Sequence, residues 1–345
     1  MRIGFDTSAL VRPHPPGIVR LVSGAMAALE RTPGITALRL EPKADENPRL
    51  WRQVRLPQMV RERDLVGLHS FVSAFALLGT GLRVQTIHEM PWLHGVRENA
   101  GFGHRFWAKF ASRRADLIVT GSEFVARELA KGALAKRVRV CPWGVDAPHF
   151  SRAATSELRN RARETLGATD ASEVLLAPGA VRPKKNLAAL LHGLSERKRR
   201  GASTVLLAVT GAVGSAARRD QELARSLGLE RDVRWLGAVD EDVLVALLCE
   251  SRAVGVLSHS EGFGLPVLEA FAAGCSVIVP RSSAQSEVAA GLGIEVDPHD
   301  PASVADGIEF ALHDGARDAQ RRAYAATRSW ARCGERIAEV WREFA

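Results

Sequence analysis

The sequence predicts an α/β protein in two successive domains, each built on a parallel sheet, and three observations carry that expectation. Short apolar runs bounded by turn residues alternate with longer amphipathic segments, the pattern of parallel strands joined by helices. The pattern loosens once, through residues Ala147–Thr155, and then restarts. The chain has 345 residues, and at roughly 150 residues per domain two domains are expected: 1–150, then 151–325, with a closing helix over 326–345.

In the first domain Ile3–Phe5, Val84–Ile87, Leu117–Thr120 and Val138–Cys141 read as buried strands, with helices over Val19–Glu30, His104–Arg114 and Glu123–Ala130. In the second, Val174–Ala177, Val205–Thr210, Val233–Leu236, Val254–Ser258 and Ser276–Pro280 read as strands. Residues Gln320–Ala345 read as one amphipathic helix carrying Trp330 and Trp341, packing back toward the first domain.

Composition excludes several classes. With 46% apolar and 25% charged residues, the chain matches ordinary globular proteins and not disordered or collagen-like ones. Cys141, Cys249, Cys275 and Cys333 are scattered, with no Cys-x-x-Cys pair, which fits a reduced compartment. No stretch reads as a membrane span. Asp6 stands where a secretory signal needs its apolar core, so a cytoplasmic location is expected. Residues 1–150 hold 22 Lys and Arg against 13 Asp and Glu, while the rest is nearly neutral. A basic first half implies an anionic partner such as a lipid surface, a phosphate-bearing acceptor or nucleic acid.

The most informative stretch runs from Val254 to Gly274. A strand ends near Ser258, a loop with Gly262 and Gly264 follows, and Pro266 suits the first turn of a helix that Gly274 can terminate. Helix N-termini with glycines beside them accept phosphate, because unpaired N–H groups and the helix dipole point outward there. Glu261 precedes this turn and Glu269 follows it, and carboxylates bind hydroxyls. A diphosphate with hydroxyl-rich groups at both ends, a nucleotide-sugar, satisfies the arrangement.

The segment Glu261 to Glu269, two glutamates enclosing Gly262, Phe263, Gly264 and Leu265, resembles the signature of retaining family 4 glycosyltransferases of the GT-B fold. Five further segments follow in that family's order: Gly17–Arg20, Thr86–Glu89 with its His88, Ala115–Glu123, Pro142–Asp146 and Arg182–Asn186, and Val296–Pro298 closes the series. The resemblance implies two Rossmann-like, doubly wound domains facing each other across a cleft, with the acceptor on the first and the donor on the second. It implies catalytic roles for Glu261, His88 and Lys185. Glu261 would bind donor-sugar hydroxyls, Glu269 the ribose, and Lys185, with Lys184 and Arg182, the departing diphosphate. Fixed cations lower the barrier to cleaving the sugar–phosphate bond because charge builds on the leaving oxygen. Gly17 would offer an N–H, His88 would orient the reacting sugar, and Val239 would read the base. Lys184 stands where the family has arginine, Val19 where it has glycine, and Glu89 where it has aspartate.

The implied activity is a retaining, metal-independent transfer of a hexose, mannose as first guess, from a GDP- or UDP-sugar to a glycan or lipid-linked acceptor, as in bacterial surface polysaccharide, lipopolysaccharide or glycolipid synthesis. No cofactor and no nucleic acid are expected. A nucleotide-sugar epimerase of similar fold and a non-catalytic binder of anionic polymer are the rival readings. Asp240-Glu-Asp242 matches a metal-binding Asp-x-Asp pattern, but at a helix start it reads as a cap. Gly211 and Gly214 read as a plain strand-to-helix turn. Phe102–Arg114 reads first as an amphipathic helix packed on its own domain with a solvated basic face, and second as a peripheral helix on anionic lipid.

Overall fold

The computed structural model describes all residues except 99–100, 131–136, 152–154, 168–172, 213, 215 and 345; Val213 of the glycine-pair turn and Ala345 of the closing helix therefore lie outside it. The chain divides into two compact units, Met1–Val145 with Arg328–Ala345, and Asp146–Thr327. The first boundary falls five residues before the expected 150, directly after the Pro142–Val145 segment, and the last segment begins at Arg328.

In the first unit six parallel strands, β1 (Arg2–Asp6), β2 (Thr36–Leu40), β3 (Gly67–Ser70), β4 (Leu82–Thr86), β5 (Leu117–Thr120) and β6 (Val138–Val140), lie in the order β2-β1-β3-β4-β5-β6. β3 and β5 are buried along their whole length, because helices cover both faces of a parallel sheet. β2 and β3 carry no pronounced apolar run: β2 is an edge strand with Thr36 and Arg39 exposed, and β3 is the four residues Gly-Leu-His-Ser.

The single closing helix expected over Gln320–Ala345 is two helices, Asp318–Thr327 and Trp330–Phe344. The break has a local cause. The Val145 amide donates to the Arg328 carbonyl at 2.8 Å, and Ser329 forms an isolated parallel bridge with Val145. The Ser329 hydroxyl then accepts from the Arg332 amide, starting the next helix afresh. That helix packs on Pro16–Leu29. Gly24 sits under the Trp330 indole, where a Cβ would overlap the ring, and Trp341 is fully buried. Removing this contact would open the core of the first unit.

In the second unit β7 (Glu173–Ala177), β8 (Val205–Thr210), β9 (Val233–Gly237), β10 (Ala253–Gly255), β11 (Ser276–Pro280) and β12 (Ile294–Val296) form another parallel sheet in the order β12-β11-β10-β7-β8-β9. β10 is shorter than the expected Val254–Ser258, since its pairing ends at Gly255 and the chain turns into the loop that follows. The strand order reverses between β7 and β10. In open α/β sheets the carboxyl ends of the strands flanking such a switch point form the ligand crevice.

Candidate functional site

The two loops that leave this switch point hold the charged residues singled out in the sequence. After β7 the chain runs through Gly179 to a single 3-10 turn, Pro183–Lys185, closed by Asn186 in the left-handed region at φ 51°. Asparagine tolerates that conformation better than most residues. Asn186 thereby ends the turn and begins the helix Leu187–Arg199. After β10 the chain passes Ser258 and Glu261 before the helix Leu265–Ala273.

The loops are tied to each other. The His259 amide donates to the Lys184 carbonyl at 2.9 Å. Lys185 Nζ donates to Glu261 Oε1 at 2.6 Å, and Lys184 Nζ lies 3.9 Å from the same oxygen. Lys184 is buried, and Lys185 and Glu261 are partly so. Burial pushes the Glu261 carboxyl up, but Lys185 and Lys184 outweigh it and hold it well below the usual carboxylate range. The group is an anion at neutral pH, positioned by two cations.

Gly264 caps the helix that follows with φ 112°, a conformation only glycine adopts without strain, and Gly274 ends it at φ 91°. No side chain caps the N-terminal end. Pro266 supplies no N–H there, and the Val267 amide donates to the Gly264 carbonyl at 2.9 Å. Gly262 and Phe263 are buried in the turn, Leu265 is half-buried, and Glu269 is buried on the helix itself.

A cavity of about 20 Å³, the size of a water, opens among Pro178, Gly179, Val181, Lys185, Val256 and Ser258. Two glycines read from the sequence as a plain turn shape its wall. Gly211 has φ 104°, and a Cβ there would overlap the Gly179 backbone; one at Gly214 would overlap the Val181 carbonyl. Gly179, at φ 105°, faces the Lys185 side chain, its Cβ position 3.7 Å from Cε. These contacts hold the lysine loop against β8, a task the bare sequence signals only as glycines at strand ends.

Arg182 is half-buried at the start of the lysine turn, and Val239 is half-buried in the loop after β9. Asp240 caps the helix Glu241–Glu250, its side chain accepting from the Val243 amide at 2.8 Å, and pairs with Arg161 at 3.0 Å. In the first unit, His88 follows β4 and its Nε2 lies 2.7 Å from the Phe71 carbonyl. A carbonyl only accepts, so Nε2 carries a proton and donates there. Gly17 lies in the first turn of the helix Pro16–Leu29, where a Cβ would meet nothing within 4 Å. Nothing in its own unit requires glycine there.

Residues 159–330 match the family model described as Glycosyl transferases group 1, and residues 11–148 match the one described as Glycosyltransferase Family 4. D-inositol 3-phosphate glycosyltransferase of Corynebacterium jeikeium is 28% identical over 81% of this chain and 72% of its own length. The protein of the same name from Kineococcus radiotolerans is 32% identical over 66% of this chain and 57% of its own. The chain thus spans between about half and three quarters of the length of such relatives. Among solved structures, HepE of Anabaena in complex with UDP-glucose superposes with a TM-score of 0.78 over the whole of both chains at 17% identity. Sucrose-phosphate synthase of Thermosynechococcus elongatus gives 0.77 over 99% of this chain and 98% of its own, also at 17% identity. At those identities the likeness establishes the fold, which is GT-B.

Proposed function

Because the chain carries the two domains of a group 1/family 4 glycosyltransferase, we propose that it transfers a hexose with retention from a nucleoside-diphosphate sugar to a hydroxyl of a glycan or lipid-linked acceptor. The observation that carries this reading is the Lys184–Lys185–Glu261 cluster at the switch point of the second sheet. A diphosphate arriving there gives Lys185 a second anion, and Glu261, released from its ion pair, turns its oxygens to sugar hydroxyls. As the sugar–phosphate bond breaks, negative charge grows on the departing oxygen, and a fixed ammonium and helix amides stabilise it at little reorganisation cost. The acceptor hydroxyl attacks on the face the phosphate leaves, and the leaving oxygen takes its proton. No metal ion takes part in this scheme.

The resemblance gives His88 a contact to the reacting sugar and Glu269 one to the ribose. Mannose from GDP-mannose is the first donor to try. UDP-glucose is the second, since HepE was solved with it. The relatives named for D-inositol 3-phosphate, together with the net positive charge of the first unit, make a phosphate-bearing acceptor the second acceptor class. By this reading the protein works in the cytoplasm, at the inner face of a membrane when its acceptor is lipid-linked.

The test is a thermal-shift screen of UDP-, GDP- and dTDP-sugars, because a ligand bound only to the native state raises its melting temperature with concentration. One donor family should stabilise the wild type, and Lys185→Met and Glu261→Gln should reduce the shift. A screen in which no nucleotide-sugar or free nucleoside diphosphate raises the melting temperature would sink the reading. Donor alone separates the epimerase alternative, which converts it without acceptor.

A further inference from the structure

The segment 101–114 combines aromatic and basic side chains, and the structure sorts them. The helix Phe102–Lys109 runs into a 3-10 turn, Ala111–Arg114, so it is shorter than the His104–Arg114 helix expected. Its inner side, Ala108 and Ala111 with the half-buried Phe106 and Trp107, packs on the core around Ile87, Met90 and Ile118. Phe102 and Phe110 stand outside that cluster. Phe102 is 83% exposed and Phe110 58%. Their rings stack on Phe106 from either side, with centroids 6.3 and 6.4 Å apart, forming one aromatic ladder at helical i, i+4 spacing.

The charge around the ladder has one sign. His104, Arg105, Lys109, Arg113 and Arg114 are exposed, no acidic residue occurs between Gly101 and Arg114, and the Arg113 guanidinium lies 5.9 Å from the Phe110 ring centre. The same bias holds for the whole unit. The first unit has 26 Lys and Arg against 15 Asp and Glu, a net +11, and the second has 21 against 24, a net −3. Among the described residues, Val11, Leu50, Val54, Leu78, Leu93 and Phe344 are the other exposed large apolar side chains of the first unit, against Phe310 alone in the second.

We propose that the Phe102–Phe106–Phe110 ladder, flanked by Arg105, Lys109, Arg113 and Arg114, docks the protein on an anionic lipid surface. Rings of this kind enter the boundary between headgroups and acyl chains. Long basic side chains lie along them and keep their charged ends among lipid phosphates. No helix among the described residues is long and apolar enough to cross a membrane, so the contact is peripheral. The inference rests on the reading of a lipid-linked acceptor for its purpose, but flotation itself needs neither donor nor turnover.

Flotation with vesicles of phosphatidylcholine and phosphatidylglycerol in equal parts, against phosphatidylcholine alone, provides the measurement. The wild type floats with the anionic vesicles, and 0.5 M salt weakens the association through screening. Phe102→Ser with Phe110→Ser lowers the partition coefficient about tenfold or more. Arg105→Glu with Lys109→Glu and Arg113→Glu lowers it on the order of a hundredfold. Arg199→Glu with Arg218→Glu, on exposed helices of the second unit, leaves it unchanged. All of these variants keep the donor-induced thermal shift, so a failed donor reading and a failed docking reading are told apart. Should the serine pair lower the melting temperature, the charge variant and its second-unit control decide alone. Equal flotation on neutral vesicles, equal loss in the second-unit control, or a lipid-free dimer dissolved by the serine pair would each overturn the proposal.

Discussion

The two units share a six-stranded parallel sheet and differ in where their chemistry lies. In the second, unusual backbone and opposed charges gather beyond the carboxyl ends of β7, β8 and β10, where Gly179, Gly211 and Gly264 adopt positive φ and two lysines face one glutamate. In the first, the distinctive features lie outside the sheet, in an excess of cations and a row of exposed phenylalanines. One scaffold thus separates into a unit organised around a small polar focus and a unit organised around its surface.

The largest effect should come from breaking the polar focus. Glu261→Gln keeps the volume but removes the anion, and it should lower kcat/KM by on the order of a hundred- to a thousandfold, measured with the donor that the thermal screen identifies. Lys185, which donates to Glu261 Oε1 at 2.6 Å, then loses that anion, so added pyrophosphate should raise the melting temperature of this variant more than that of the wild type.

Gly211→Ala tests the backbone behind the focus. It places a Cβ on the Gly179 backbone at a φ of 104°, which should cost about 1–3 kcal/mol from conformation alone. Urea unfolding read by Trp235 fluorescence should show the loss in the second unit, and donor affinity should fall because Lys185 leans on Gly179. The Phe102→Ser and Phe110→Ser pair should change neither quantity.

A pH titration sharpens the contrast from the other side. His69, fully buried in the first unit and stacked on Phe71, has its pKa pushed down to about 3 by burial and by His88. The unfolded chain takes up this proton near pH 6.5 and the folded one does not. The stability contributed by neutral His69 is therefore complete above that value and is lost as pH falls toward 3. At pH 5 the loss is about 2 kcal/mol, and His69→Phe should flatten the acid side of the melting curve. The second unit should titrate independently of that substitution. Smallest of all, Asp240→Ala removes a helix cap and should cost about 1 kcal/mol in urea unfolding, while a chelator should leave turnover unaltered.

Much of this contrast was legible in the sequence, for reasons that differ by element. β8 and β11 are unbroken apolar runs closed by turn residues, and they occupy the expected residues, Val205–Thr210 and Ser276–Pro280. β2, β3 and β12 escaped because edge exposure or a polar tetrapeptide hides their pattern, and only pairing with a neighbour makes them strands. The break at Arg328 and Ser329 was invisible because it depends on Val145, far away in the chain. At the candidate site the charged residues announced themselves through motif spacing, whereas the Gly211–Gly179 contact is a fact about two loops meeting and has no local signature. The phenylalanine ladder was readable as composition, but composition could not say which rings face inward.

The Val145–Arg328 hydrogen bond makes the second unit an insertion whose entry and exit lie side by side on the first. A chain synthesised from its amino end therefore reaches residue 327 with the second unit whole and the first still missing the helix that carries Trp341. The unit encoded first is the last to be completed, and until then its unfinished sheet waits with one flank uncovered.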